Sequence, residues 1–240
     1  MDYKMTGGNS RLTDEFVKRI RLDNIKTSTL VTEVVQAEGM VTVKTNSQNY
    51  VVDAVICTVP TQSLTRIKFD PPLPAEQLQA AEQLAYARIS KNSVLYRKRF
   101  WEADNFSMIS DLTSHYYFHS TQNQPGTEGI LTSYAIGEKA DVLASQSNER
   151  RLRIIANDLV DFDNTAPCHA GKIASYAWQR DAFTDGAYAL FRPGQWFGIR
   201  PVLQRPHGKV LFAGEHLADW QGFMEGAIET GESAADSLLA

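Results

Sequence analysis

The chain has 240 residues, of which 43% are hydrophobic and 22% charged, with a formal net charge of -4. These values fit one large or two small globular domains, and the scattered, slightly acidic balance gives no reason to expect a nucleic-acid partner. The two cysteines, Cys57 and Cys168, have neither CxxC nor metal-ligand spacing, so no disulfide framework is expected and a reducing compartment, the cytoplasm, is the expected location.

Gly7-Gly-Asn-Ser10 reads as a turn, and Leu12, Phe16 and Ile20 recur at helical spacing, which predicts a helix over about 12–21. Residues 30–35, 40–44 and 50–59 read as three strands, with turns at Glu38-Gly39 and Asn46-Ser-Gln48. The third strand becomes continuously apolar at Val55-Ile-Cys-Thr-Val59, as buried parallel strands do, and Pro60 stops it. Pro71-Pro-Leu-Pro74 is a rigid connection to a helix over about 75–86. Strands are expected at 93–96, 116–118 and 130–135. An amphipathic helix is expected at about 148–161, with Leu152, Ile155, Leu159 and Val160 on one side, followed by a strand at 172–178. Val210-Leu-Phe-Ala-Gly-Glu-His216 reads as a strand delivering a loop, and a helix then opens on small residues near Gly222 and Gly226.

This order returns at its end to a strand and a long helix. It predicts an α/β plus α+β fold in which the first and last parts share one domain and the middle part is inserted. Met1-Asp-Tyr-Lys-Met5 has no apolar leader, and no apolar run approaches about 18 residues, so no membrane association is expected. His115 and His119 have the spacing of a helical metal pair, but Tyr116-Tyr-Phe118 favours a strand. Four strand residues span roughly 13 Å, so no metal is expected there. His216 reads as a loop residue near a ligand, and no Ser-His-Asp order is convincing. A helix start carries about half a positive charge and unpaired N–H donors, which suits an anionic group.

Phe212-Ala-Gly-Glu-His216 followed by Gly222-Phe-Met-Glu-Gly-Ala-Ile-Glu-Thr-Gly231 resembles the flavin-contacting C-terminal signature of the flavin-dependent amine oxidases, which include monoamine, polyamine and L-amino-acid oxidases. Gly7-Gly8, Val55-Ile-Cys-Thr-Val-Pro60, Phe69-Asp-Pro-Pro-Leu-Pro74, Lys91, Phe100-Trp101, Trp178, Asp185-Gly-Ala-Tyr188 and Pro193-Gly194 fall in the order that family uses. The GxGxxG fingerprint that holds the FAD pyrophosphate is absent. The resemblance is therefore to the C-terminal part alone, and either a separate chain supplies the dinucleotide-binding unit or the sequence is a fragment of a longer protein. On this reading residues 1–80 are the first segment of a partial Rossmann-like FAD-binding domain, 81–180 the inserted α+β substrate domain, and 181–240 the second FAD-binding segment.

The resemblance implies oxidation of an amine by hydride transfer to flavin N5, giving an imine, then aldehyde, ammonia and H2O2, with O2 as the oxidant. It implies that Lys91 holds a water against N5 and assists reaction with O2, and that Tyr188 and Phe223 form an aromatic cage guiding the amine. Trp178 packs near the flavin, and the backbone of Val31 contacts the adenine. Gly214 and Glu215 lie by the pyrophosphate and ribityl chain, Gly222 lets backbone approach the ring, and Met224 offers its N–H to the C2 carbonyl, with Glu225 beside it. Ala187 stands where some relatives carry the flavin-linking cysteine, so FAD is expected to be non-covalent. An L-amino-acid oxidase is the alternative; it needs a cation such as Arg192 or Arg200 for the substrate carboxylate, whereas Phe223 leans toward simple amines. A catalytically silent remnant, or a subunit that needs a partner chain to bind FAD, is the reading from outside the enzyme class.

Overall fold

The structure is a computed structural model that describes residue 5 and residues 7–239. The expectation of no leader at Met1–Lys4 lies outside the described residues. The chain opens with α1 (Ser10–Ile20), β1 (Val31–Ala37), β2 (Met40–Thr45), β3 (Asn49–Val52) and β4 (Val55–Cys57). The short helix α2 (Thr61–Leu64), β5 (Lys68–Asp70) and α3 (Ala75–Gln83) follow. Next come β6 (Ala85–Tyr86), β7 (Ile89–Tyr96), β8 (Ser107–Ile109), β9 (Tyr116–His119) and β10 (Gly129–Ile136). Helices α4 (Glu138–Ala144), α5 (Asn148–Asn157) and α6 (Ala166–His169) lead to β11 (Ala170–Tyr176). The order ends with β12 (Ala189–Leu190), α7 (Gln195–Gly198), α8 (Arg200–Leu203), β13 (Val210–Phe212) and α9 (Met224–Leu239). Two compact units result, Met1–Asp53 with Ile67–Pro72, and Ala54–Arg66 with Leu73–Ala240. This division does not coincide with boundaries at 80 and 180. No helix among the described residues is long and apolar enough to cross a membrane.

The first unit is a sheet in the order β3-β2-β1-β5, antiparallel except for the β1–β5 pair. Val34 and Phe69 are register partners, and both are buried, as is Val41. The β1–β2 turn places Glu38 and Gly39 at positive φ, 51° and 75°, which a glycine adopts without a Cβ clash. The helix expected near 12–21 is present as α1, but none of its residues is buried, so its apolar stripe is uncovered by the described chain.

The strand expected over 50–59 is two strands. The break falls at Asp53-Ala54, where the alternating stretch gives way to the apolar run. β3 stays in the first unit, antiparallel to β2, while β4 belongs to the second and runs parallel to β13. That parallel partnership matches the apolar run, although Val55, Ile56 and Cys57 are half-buried rather than fully buried.

The second unit is built around an antiparallel sheet in the order β11-β7-β10-β9-β8. Strand alternation sends Val94, Tyr96 and Leu131 into a core with Tyr117, Leu143, Ile155 and Leu159, all at most 1% exposed. Helix α5 starts where Ser147 Oγ accepts from the Arg150 N–H at 3.2 Å, a side-chain N-cap. It ends at Asn157, short of 161, so Leu159 reaches the core from a turn while Val160 points outward. The helix expected to reach 86 stops at Gln83 because Leu84 turns extended and Ala85–Tyr86 pair with β12. The strand expected over 172–178 ends at Tyr176, and Trp178 begins a short 3-10 turn. His119 is buried, its Nδ1 2.7 Å from the Asp104 carbonyl and its Nε2 2.9 Å from Thr121 Oγ1, so it serves the core. No metal-ligating cluster occurs among the described residues.

Strand β13 hands the chain to the loop under α9. Gly214 has φ 137°, and a Cβ there would meet the His216 ring at 2.7 Å. A Cβ on Gly226 would sit 2.5 Å from the Trp220 carbonyl oxygen and 2.6 Å from Ala218 Cβ, so α9 packs on this loop only because it has glycine at that contact. Thr230 Oγ1 accepts from the Gly214 N–H at 2.9 Å and ties the end of the strand to the helix. His216 and Leu217 fill the space beneath.

Two outcomes follow from this packing. Leu131→Ala removes a side chain from the centre of the sheet core and is expected to destabilise the second unit by about 2–5 kcal/mol, read from urea unfolding. Burial pushes the His216 imidazole from 6.5 down to about 4. The unfolded chain binds this proton below about 6.5 and the folded chain resists it, so stability falls as pH drops from 6.5 toward 4. The loss attributable to this group reaches about 3 kcal/mol. Urea midpoints against pH should show a shallower acid decline in His216→Gln than in the parent; equal slopes would assign the decline to other groups.

Candidate active site

Pairing register places three side chains side by side on the sheet face opposite the core. Lys91 on β7 is opposite Tyr134 on β10 and Tyr176 on β11. The Lys91 ammonium lies 5.5 Å from the centre of the Tyr134 ring, within cation–π range. Tyr176 packs against Trp178 with ring centres 4.5 Å apart, and its hydroxyl donates to Asp181 at 2.7 Å. The Tyr134 hydroxyl is 3.1 Å from that of Tyr188, so the row on the sheet continues into the segment before β12. Burial, and secondarily this hydrogen bond, push the Tyr134 phenol well above its ordinary range.

A second group forms where that segment meets the loop before α9. The Tyr188 carbonyl accepts from the Ala87 N–H at 2.9 Å. The next peptide N–H, that of Ala189, donates to Glu215 Oε1 at 2.9 Å, while Glu215 Oε2 accepts from the Gly222 N–H at 2.6 Å. Burial raises the Glu215 carboxyl above its usual range, and the two backbone donors act in the opposite direction. Gly222 has φ 80°, and a Cβ built on it would make ordinary van der Waals contact with the Tyr188 ring at 3.5 Å, so the loop passes that ring with room for one methyl group between them. Phe223 follows, 63% exposed, with its ring centre 6.5 Å from that of Trp220. Met224 begins α9 and is also exposed.

The structure thus brings together Lys91, Tyr188, Glu215 and Gly222, linked through Tyr134. Phe223 and Met224 border this group, and Trp178 joins it through Tyr176. Tyr188 and Phe223 make no ring-to-ring contact; Phe223 leans on Trp220 instead. Val31, half-buried at the start of β1, belongs to the first unit and is described with it. Tyr134, Tyr176 and Trp220 were not singled out from the sequence. Tyr134 and Tyr176 are on recognisable strands, but which strands pair, and in what register, is decided by the sheet as a whole.

The two arginines differ. Arg200 is engaged: its guanidinium stacks 4.2 Å from the centre of the Trp196 ring and donates to Asp219 at 2.5 Å and to the Leu217 carbonyl at 3.3 Å. The Arg192 side chain is exposed. A separate groove of about 200 Å3 between β13 and α9 is lined by Leu211, Phe212, Leu217, Thr230 and Ala234, among others. It touches none of the side chains of the Lys91 row.

The donor set at the start of α9 suits an anionic, planar ligand. The first N–H groups of a helix lack intrahelical acceptors, and no acceptor among the described residues takes those of Met224 and Glu225. The exposed backbone at Gly222 and the exposed aromatic and thioether side chains beside it present a flat, partly apolar approach.

Comparison with known proteins bears on the same segment. The family described as flavin containing amine oxidoreductase matches residues 2–239. The chain is 29% identical to amine oxidase [flavin-containing] A of Canis lupus familiaris, over 99% of this chain and 46% of that protein. It is 26% identical to an L-amino-acid oxidase of Vipera ammodytes ammodytes, over 97% of this chain and 50% of that protein. The chain therefore spans about half the length of these relatives. The fold is shared with putrescine oxidase in its wild-type form bound to putrescine (TM-score 0.87, 24% identity, 98% of this chain and 53% of that one). It is shared also with cyclohexylamine oxidase from Brevibacterium oxydans IH-35A (TM-score 0.85, 21% identity, 96% and 52%). The chain belongs to the flavin-containing amine oxidase family.

Proposed function

We propose that this chain is the C-terminal part of an enzyme that oxidises a simple amine with non-covalently bound FAD and O2. The observation that carries the reading is the chain of contacts from Lys91 through Tyr134 to Tyr188, whose next residue, Ala189, shares the Glu215 carboxylate with Gly222 of the loop that opens α9. Residues 1–80 and 181–240 form the FAD-binding part on this reading, with 81–180 as the inserted substrate domain. The parallel β4–β13 pair, which joins those two outer segments, supports that arrangement. Besides β4, the His207–Val210 bridge is recorded at β13 among the described residues, with a groove between β13 and α9. A dinucleotide-binding unit, on a separate chain or on a longer form of this one, is the proposed occupant. The two free thiols, Cys57 and Cys168, accord with a cytoplasmic location.

When bound, FAD would supply a two-electron acceptor for oxidation of the amine, with O2 as the final oxidant. The chain's own groups do the rest. The N–H groups at the start of α9, that of Met224 foremost, meet the anionic edge of the ring and stabilise charge there. Gly214 and Glu215 would lie along the ribityl chain and pyrophosphate. On this reading a neutral amine is oriented in a slot between Tyr188 and Phe223, whose rings are not in contact. Trp178 packs on Tyr176, the strand neighbour of Lys91. Lys91 places a cation next to that slot, where it holds a water and stabilises negative charge developing on oxygen.

Arg200 is already committed to Asp219 and Trp196, which leaves Arg192 as the cation an amino-acid oxidase would need for a substrate carboxylate, while Phe223 leans toward simple amines. The purified chain titrated with FAD should show little flavin binding by absorbance, and binding should appear on addition of a polypeptide carrying the dinucleotide-binding unit. No binding in either case would leave the chain a silent remnant. Once loaded, the enzyme should release peroxide with simple amines in preference to amino acids; the reverse preference would favour the L-amino-acid oxidase reading. Lys91→Met should slow flavin reoxidation by O2 by at least about tenfold while changing reduction by the amine less, read in stopped-flow half-reactions. Equal slowing of both would remove Lys91 from its assigned role.

A further inference from the structure

We propose that Glu215 is a positioning residue: its carboxylate clamps together the two segments that carry Tyr188 and Phe223 and so sets the width of the aromatic slot. The proposal rests on the oxidase reading for the purpose of the slot, while the clamp itself stands on geometry alone. Each carboxylate oxygen takes one backbone N–H, Ala189 on Oε1 at 2.9 Å and Gly222 on Oε2 at 2.6 Å. Ala189 directly follows Tyr188, and Phe223 directly follows Gly222. The carboxylate therefore grips the chain one residue away from each aromatic side chain, from opposite sides.

The rest of the neighbourhood makes this grip decisive. The Tyr188 peptide is anchored on its other side, its carbonyl accepting from Ala87 N–H. Its ring is in turn held at the hydroxyl by Tyr134. The loop carrying Phe223 has no comparable lattice. The Gly222 bond to Glu215 is its one hydrogen bond to the Tyr188 side, among the described residues. Ala218 is buried and Asp219 is held by Arg200, but Phe223 and Trp220 at the far end of the loop are exposed. A half-buried carboxylate accepting two N–H bonds is a strong, directional tie, because charged acceptors make shorter and stronger hydrogen bonds than neutral ones. Its position in the chain is fixed in turn by the buried His216 and Leu217 that follow it.

The test uses the full chain without flavin, by amide hydrogen exchange resolved by NMR. In the parent protein the Ala189 and Gly222 amides should be protected, and the Gly222 α-protons should show a ring-current shift from Tyr188. In Glu215→Ala both amides should exchange at least about tenfold faster, the scale expected for losing a bond to a charged acceptor, and the ring-current shift should collapse. Glu215→Gln keeps one acceptor oxygen, so one of the two amides should retain its protection. Should Glu215→Ala not fold, the Gln variant decides the matter through the inequality of its two amides. The proposal is overturned if either amide is unprotected in the parent. It is also overturned if both keep their rates in the Ala variant, if both change equally in Gln, or if every amide of residues 186–190 and 218–223 accelerates alike, which would mark general loosening. Flavin absorbance with the dinucleotide-binding unit, measured separately, tests the oxidase reading: a protected clamp without flavin binding would sink that reading and leave the clamp standing.

Discussion

The site depends on one pairing, that of β4 with β13. Three residues on each strand run side by side in parallel register, Val55 with Val210 through Cys57 with Phe212. A parallel pair cannot be closed by a hairpin and needs a crossover, here a very long one that contains the whole five-stranded sheet. The pairing brings the loop after Phe212 back toward residues that were laid down more than a hundred positions earlier. Glycines at 214 and 226 then allow that loop to fold under α9 at backbone contact distance. Without glycine at 226 the helix start would be held away from its loop by ordinary side-chain volume, and without glycine at 214 the His216 ring would have to move.

Around that seam the chemistry is divided between rigid and adaptable parts. Lys91 and Tyr134 stand on β7 and β10, which have ladder partners on both sides. Tyr188, Phe223 and Trp178 stand on connecting segments. This is a common division of labour in binding sites, where a sheet fixes position and loops adjust shape. The hydroxyl pair of Tyr134 and Tyr188 is the point where the two meet.

Much of this was readable in the residues, and what was not has identifiable causes. The terminal signature around Gly214-Glu215 and Gly222-Phe223 marked the loop and helix because glycine spacing and an apolar strand are local features. Most element positions followed from periodicity for the same reason. The split of residues 50–59 was missed because an apolar run reads the same whether one sheet or two receive it. Val160 was placed on the buried side because helical periodicity was continued past Asn157, where the helix ends. Tyr134 stayed unnoticed because its meaning comes from its register against Lys91, a relation between strands that no single stretch encodes. The engagement of Arg200 with Asp219 was equally out of reach, since it is a tertiary contact with the loop before α9.

Lys91 occupies the second-from-edge strand of its sheet, with β11 outside it and β10 inside. A lengthened or shortened loop elsewhere cannot slide it, because a one-residue slip of β7 would turn Val94 and Tyr96 out of the core and Lys91 into it. The ammonium is thus locked to the hydrophobic interior on the reverse of its own strand, and mutational drift in the surrounding connections reshapes the space in front of the cation without relocating the cation itself.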